Sequence, residues 1–221
     1  MNKISEFLQA HTWANKGPIR LKYKSNPFTG GRLYTLFQNL RSRKMNERLN
    51  TLIDDEPIAE VDFNANHLRL SLAVFAQQDA GDSPYEDIMA VSGESRDGVK
   101  GFITRAMGAT CKEKAFSSVY RLGWDVPRCE NALAATYKCF PKVMLFDGIG
   151  VKLQSLEGSI LRRVILRGVD KGIVCLPIHD AIARKVSDAQ WVKQAMKEEW
   201  EVEVGGVASA RLTIKTLKSK Q

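Results

Sequence analysis

The sequence has no CxxC pair: its four cysteines, Cys111, Cys129, Cys139 and Cys175, lie far apart. Structural zinc sites need ligands at short paired spacing, and small secreted scaffolds need a dense disulfide framework. Both classes therefore drop out, and reduced, partly buried thiols are expected. Histidine is scarce, at three residues in 221, and no low-complexity tract or internal repeat is present. Long apolar runs are missing as well. The longest, such as 173–178, fall far short of the roughly 20 residues that cross a bilayer. The opening Met1-Asn2-Lys3-Ile4-Ser5-Glu6 carries no apolar signal core. A cytoplasmic protein with no membrane partner is expected.

Acidic residues are outnumbered: 25 Asp and Glu face 33 Lys and Arg, for a net charge of +8. Lysine and arginine near phosphates release counterions, so this balance points to a polyanionic partner. The charge is also segregated. Segments 16–24 and 41–48 are basic, while 54–60 and 79–94 are acidic. Basic flanks around an acidic middle suit a protein that grips nucleic acid and holds a divalent cation centrally.

With 44% hydrophobic residues, the chain has enough apolar material for one sizeable core. Residues 1–31 are broken by Gly17-Pro18, Asn26-Pro27 and Gly30-Gly31, which predicts a short helix near 3–10 and then an extended, loop-rich arm. The stretch 57–63 alternates apolar and polar residues and reads as a strand. Asn64 or Asn66 then caps a helix running to about 78. From 85 to about 140 the pattern is helical, with breaks near Gly93, Gly123 and Pro127. Residues 151–169 form an amphipathic helix with Leu153, Leu156, Ile160 and Leu161 on one side. The segment 172–178 reads as a buried strand, His179-Asp180 as a tight connection, and 181–186 as the returning strand. A helix over 188–201 and a final alternating strand over 211–217 complete an α+β layout: an antiparallel sheet backed by helices, with a helical insertion.

Two acidic residues stand out against this layout. Phosphoryl transfer needs little covalent help from a protein; it needs divalent ions beside the attacking and leaving oxygens. Hard oxygen ligands hold such ions, so the minimum is two carboxylates from distant segments on adjacent strand ends. Asp62, at a strand end, and Asp180, at a hairpin tip, meet that description as catalytic and metal-holding residues for Mg²⁺ or Mn²⁺. A triphosphate then needs cations from a third element. Arg96 and Lys100, at i and i+4 on one helical face, supply them.

The order of the segments resembles the family A (pol I-like) DNA polymerases. Thr29-Gly30-Gly31-Arg32-Leu33, followed by Gln38-Asn39-Leu40, is similar to that family's T-G-R-L…Q-N segment. Glu60-Val61-Asp62-Phe63 with His67 and Arg69 resembles motif A, D-Y-S-x-x-E-x-R. Arg96-Asp97-Gly98-Val99-Lys100 resembles motif B, Gln154-Ser155-Leu156-Glu157 the Q-x-T/S-x-A-D-I helix, and His179-Asp180-Ala181 motif C, H-D-E. The resemblance spans roughly 29–186 and is closest to compact polymerase-like proteins of phages and mobile elements. Departures are specific: Thr104 and Gly108 stand where aromatics are expected, Ala181 replaces the last Glu of motif C, and His67 replaces the Glu of motif A.

The resemblance implies a polymerase palm-like sheet with reduced helical fingers. Its division would be a basic arm and primer-contact segment over 1–56, a first part of the palm over 57–80, fingers over 81–149 and a second part of the palm over 150–221. It implies nucleic-acid contacts from Arg32, Gln38, Asn39, Gln154 and His179, and nucleotide contacts from Arg96, Lys100 and His67, the last beside the incoming sugar. Glu157 is expected at a helix surface, and Arg69 as a buried brace. The function implied is a template-dependent nucleotidyltransferase, a minimal DNA polymerase or primase-like enzyme in a bacterial or phage-infected cell. Its partners would be a primer-template or single-stranded template and nucleoside triphosphates. The short N-terminal arm leaves little for a thumb, so a replication partner protein is expected to help. Two alternatives stay open: a catalytically degenerate polymerase-like nucleic-acid-binding protein, and a metal-dependent nuclease.

Overall fold

The computed structural model describes residues 2–23, 30–41 and 46–217. In chain order the elements are α1 (Asn2–Gln9), β1 (Arg20–Tyr23), β2 (Gly30–Tyr34), a 3₁₀ turn (Phe37–Asn39), β3 (Leu52–Ile53), β4 (Glu56–Phe63), α2 (Asn66–Ala76), α3 (Pro84–Ser92), α4 (Arg96–Gly108), α5 (Lys112–Tyr120), α6 (Val126–Cys139), α7 (Gly150–Lys171), β5 (Leu176–Ile178), β6 (Ala181–Lys185), α8 (Ala189–Glu203) and β7 (Leu212–Thr216). The fold is mixed α+β with antiparallel strands backed by helices, as the alternation of periods predicts. The chain divides into two compact units. The first holds residues to Asn64, Ser155–Glu203 and those from Ala210; the second holds Ala65–Gln154 and Val204–Ser209.

The first unit is built on β4. It pairs antiparallel with β3, β6 and β7, and β5 extends the sheet beyond β6. The β3–β4 connection is the two-residue loop Asp54-Asp55, with φ of 46° and 63°. Positive φ at both central positions is the backbone of a type I′ hairpin, whose twist suits the flanking strands. Period-two alternation sorts β4 into two faces. Ala59, Val61 and Phe63 share one with Ile182 and Ile214; Glu60 and Asp62 share the other with Ala181, Ala183, Thr213 and Lys215. Val192, Met196 and Trp200 of α8 are buried, and α8 packs on β4, β6 and β7. Each such side chain contributes about 1.5–3 kcal/mol on leaving water.

Two sequence expectations change here. The arm over 11–31 contains a hairpin rather than only loop: β1 and β2 pair from Arg20↔Tyr34 to Lys22↔Arg32. Thr35 ties this region to the sheet through a hydroxyl bond to the Pro177 carbonyl (3.2 Å). The strand expected over 172–178 is shorter, Leu176–Ile178. Gly172 takes φ +74° and Ile173 N–H closes back on the Gly168 carbonyl (2.8 Å). The start of that apolar run therefore serves a helix end, not a ladder. Trp13 belongs to the core: it is buried, its indole N–H donates to the Leu8 carbonyl (3.2 Å), and it meets Phe37 edge-on. Thr29 lies outside the described residues.

The second unit is helical. The break expected near Gly93 separates α3 from α4, and a further break at Ala109–Cys111 separates α4 from α5. Ser95 caps α4 by accepting from Gly98 N–H (3.2 Å), and Asp125 caps α6 by accepting from Arg128 N–H (2.9 Å). Phe102 stacks on Trp124 with centroids 5.9 Å apart and planes 7° off parallel. Arg69 is buried, and its guanidinium donates to the carbonyls of Gly81 and Asp82 (2.7 Å each).

Candidate active site

Register brings the two aspartates together in the first unit. Asp62 on β4 pairs with Ala181 on β6, and Asp180 is the residue just before Ala181 in the hairpin tip. Antiparallel partners sit about 4.5–5.5 Å apart at Cα, so the two carboxylates issue from neighbouring strand ends. The tip is His179-Asp180, with His179 held at φ +52°. Left-handed backbone at a non-glycine residue is uncommon and marks a constrained turn.

The charged groups around this pair were only partly legible in the sequence. Lys215 Nζ on β7 donates to Asp62 Oδ2, a contact that sequence reading missed. Its signal was the alternation of 211–217, which places Lys215 on the polar side of the strand. Arg48 is a second missed residue. Its Nε donates to Glu60 Oε1 (2.7 Å), and its Nη1 reaches the Gln38 and Leu40 carbonyls (3.4 and 3.3 Å), tying the 3₁₀ turn to β4. Gln38 is half-buried and Asn39 is exposed, and both line a cleft of about 160 Å³ with Arg20, Lys22 and Tyr34. Among the described residues the buried Gln38 Oε1 has no hydrogen-bond partner.

Glu157 corrects an expectation. It is not a surface position: its side chain is 1% exposed, and its Oε1 accepts from Arg32 Nε (3.1 Å) and Nη2 (2.8 Å). Burial works against the Arg32 charge, but Glu157, joined by Tyr34 and Asp180, outweighs it, and the guanidinium ends above its ordinary range. His179 is shifted the other way. Partial desolvation and then the charge of Arg32 hold its imidazole below the usual value, so it favours the neutral form. Asp180, His179, Arg32 and Glu157 thus form one electrostatic neighbourhood.

The remaining sequence candidates lie in the second unit. Arg96 opens α4, donates to Glu86 Oε1 (2.7 Å) and lies over the Tyr85 ring at 5.5 Å. Lys100, one turn on, is exposed, and Thr104 donates back to its carbonyl (2.7 Å). The aromatic of this helix, Phe102, points into the core against Trp124 rather than along the Arg96–Lys100 side. His67 is half-buried in the first turn of α2, and Gln154 half-buried in the first turns of α7.

Among the described residues no group of three or more His, Cys, Asp or Glu forms a metal cage, and no helix is long and apolar enough to cross a membrane. Two neighbouring carboxylates nonetheless fit a hard divalent cation of the magnesium type, which takes one or two carboxylates and completes its shell with water and substrate oxygens.

No protein-family model matches the sequence, and no curated protein matches it. Among solved structures the chain is similar to the POL domain of Pol1 from M. smegmatis, determined in complex with DNA primer-template and dNTP, at 10% identity and a TM-score of 0.53. That match covers 83% of this chain and 45% of the other, so this chain spans less than half the length of the polymerase it resembles. The likeness, together with the sheet and helices above, shows an α+β polymerase-like palm fold.

Proposed function

We propose that the chain is a minimal template-dependent nucleotidyltransferase, a compact polymerase core of family A type. One observation carries this reading: Asp62 and Asp180 issue from paired strand ends in a polymerase-like palm. Held there, Mg²⁺ or Mn²⁺ would neutralise phosphate charge and activate a hydroxyl. Arg32, aimed by Glu157, contacts the primer end or the nucleotide. Neutral His179 contacts the primer strand beside Asp180. Gln38, Asn39 and Gln154 contact the template-primer. Arg96 and Lys100 hold the triphosphate, and His67 stands at the sugar. In this reading 57–80 and 150–221 make the palm, 81–149 the fingers, and 1–56 the primer-contact arm. DNA and nucleotides are the partners, with a replication partner protein beside them.

A second reading, a nucleic-acid-binding core without turnover, is favoured by one specific feature: Lys215 already neutralises Asp62. Incubation with labelled primer-template or bare template, divalent cation and each nucleotide set separates the two. The polymerase reading expects incorporation that is lost in Asp62→Ala and Asp180→Ala while both variants keep the wild-type melting profile. Strand binding without incorporation under any set overturns it in favour of the second reading. Strand cleavage without added nucleotide would point to a nuclease instead.

A further inference from the structure

Helix α7 carries three arginines in close succession, and two of them are fully engaged. Arg163 donates to the Glu199 carboxylate (2.7 Å), the Glu199 carbonyl (3.0 Å) and Glu203 (2.6 Å). Arg167 donates to Glu198 (2.7 Å) and Glu199 (3.0 Å). Arg162 is exposed, and among the described residues it has no ion-pair partner. It lines a recess of about 100 Å³ together with Tyr23, Gly31, Ser155, Gly158 and Ser159.

Two glycines keep this recess open. A Cβ on Gly158 would lie 2.1 Å from the Gly31 carbonyl oxygen, so only glycine allows the hairpin backbone to rest on α7. Gly31 itself holds φ +68°, and a Cβ there would stand 3.3 Å from the Tyr23 ring and 3.8 Å from Ser155 Oγ. The space beside the contact is therefore bordered by polar tips. Ser155, Ser159 and Arg162 follow at i, i+4 and i+7 and share one face of the helix. Ser159 Oγ accepts from Arg163 Nη1 (2.9 Å), which leaves its own proton available to donate. One guanidinium, two hydroxyls and the Tyr23 phenol, with no carboxylate in the lining, make a donor-rich pocket in a protein of net charge +8. Arginine with hydroxyls is the set that recognises phosphate.

We infer that this recess binds a backbone phosphate of a nucleic-acid strand, a contact beyond those of Arg32, Gln38, Asn39, Gln154 and His179. The inference rests on the reading of the chain as a nucleic-acid-handling core, but not on catalysis. Arg162 and Tyr23 are both exposed, which suits a strand passing across the surface.

The test is the salt dependence of binding. A short labelled single-stranded oligonucleotide is titrated by anisotropy in EDTA across a KCl series, so neither metal nor turnover is involved. Arg162→Ala is expected to lower the slope of log K against log salt by about 0.7 in magnitude, the value of one phosphate contact to a single strand. Arg162→Lys is expected to keep the slope. Ser155→Ala is expected to weaken binding severalfold at unchanged slope, because a hydroxyl releases no counterion. A nucleoside triphosphate in place of the oligonucleotide is expected to bind wild type and Arg162→Ala alike, and selective loss there would overturn the strand assignment. An unchanged slope in Arg162→Ala, or an equal fall in the control Lys193→Ala, overturns the site. Loss of incorporation with the slope effect intact concerns only the catalytic reading.

Discussion

Lys215 Nζ on β7 donates to Asp62 Oδ2 on β4, reaching diagonally from its position opposite Glu60. A cation therefore already sits on the carboxylate that a catalytic metal would need. The lysine side chain is 54% exposed and that of Asp62 26%. At such exposure the pair adds little stability, about 0–1 kcal/mol, but it biases what else can bind.

Lys215→Met should therefore tighten divalent-cation binding. A unit charge about 4 Å from a divalent ion in water-like surroundings costs on the order of 2 kcal/mol before salt screening. Screened, this leaves a gain of roughly fivefold to tenfold in affinity for Mn²⁺, read from free Mn²⁺ by electron paramagnetic resonance. Unchanged affinity would mean that Asp62 is not a metal ligand or that Lys215 leaves it at no cost. Melting should shift little, since the pair is exposed.

The sheet and the strand-end places of Asp62 and Asp180 were legible in the sequence because strand periodicity is local. The alternation over 57–63 and the His179-Asp180 turn lie within short windows, and β4 and the β5–β6 hairpin follow them closely. The partners of those residues were not legible. Glu157 sits on a helix whose polar pattern resembles a surface, and it is buried because Arg32, 125 positions away, comes to meet it. Lys215 lies 153 positions from Asp62. Ion pairs of that separation leave no mark on local periodicity. The β1–β2 hairpin was missed for a different reason: its strands are short, and the alternation of Arg20-Leu21-Lys22-Tyr23 lies between the breakers Gly17-Pro18 and Asn26-Pro27, which read as loop.

The Arg32–Glu157 pair is the next point to test. Glu157 is 1% exposed while Arg32 keeps 22% of its side-chain surface. Removing one partner of a buried pair leaves the other charge uncompensated. Because Arg32 retains some solvent, Glu157→Ala is expected to cost about 2–3 kcal/mol in urea denaturation. Glu157→Gln keeps an acceptor for Nε or Nη2 and should cost about half as much. In the double-mutant cycle with Arg32→Met, the combined loss should fall well short of the sum of the single losses. Additivity would show that the contact is not an energetic unit.

Asp54 sets an acid limit on stability. It lies at the turn between β3 and β4, where its carboxylate accepts from Thr12 N–H (2.8 Å), meets His11 Nδ1 (2.8 Å) and pairs with Lys185 (2.9 Å). Partial desolvation alone would raise its pKa. The Thr12, Lys185 and His11 contacts outweigh that and hold it well below the usual carboxylate range. The sign follows. Near the unfolded value of about 3.9 the unfolded chain takes up a proton that the native state refuses, so stability rises with pH there. The contribution is complete above that value and is lost as pH falls through it toward the depressed native one. Asp54→Asn keeps an acceptor for Thr12 but loses the charge that faces Lys185. It should be about 1–2 kcal/mol less stable than wild type at neutral pH. The gap should narrow as pH drops below about 4. Glu56 and Glu198 are depressed as well, by bonds to Ser187 and to Gln194 and Arg167, so the wild-type acid limb is not due to Asp54 alone. The informative quantity is the difference between variant and wild type in denaturant midpoints across a pH series. A gap that stays constant from neutral pH into the acid range would show that the Asp54 charge is not what ties this turn to the strand.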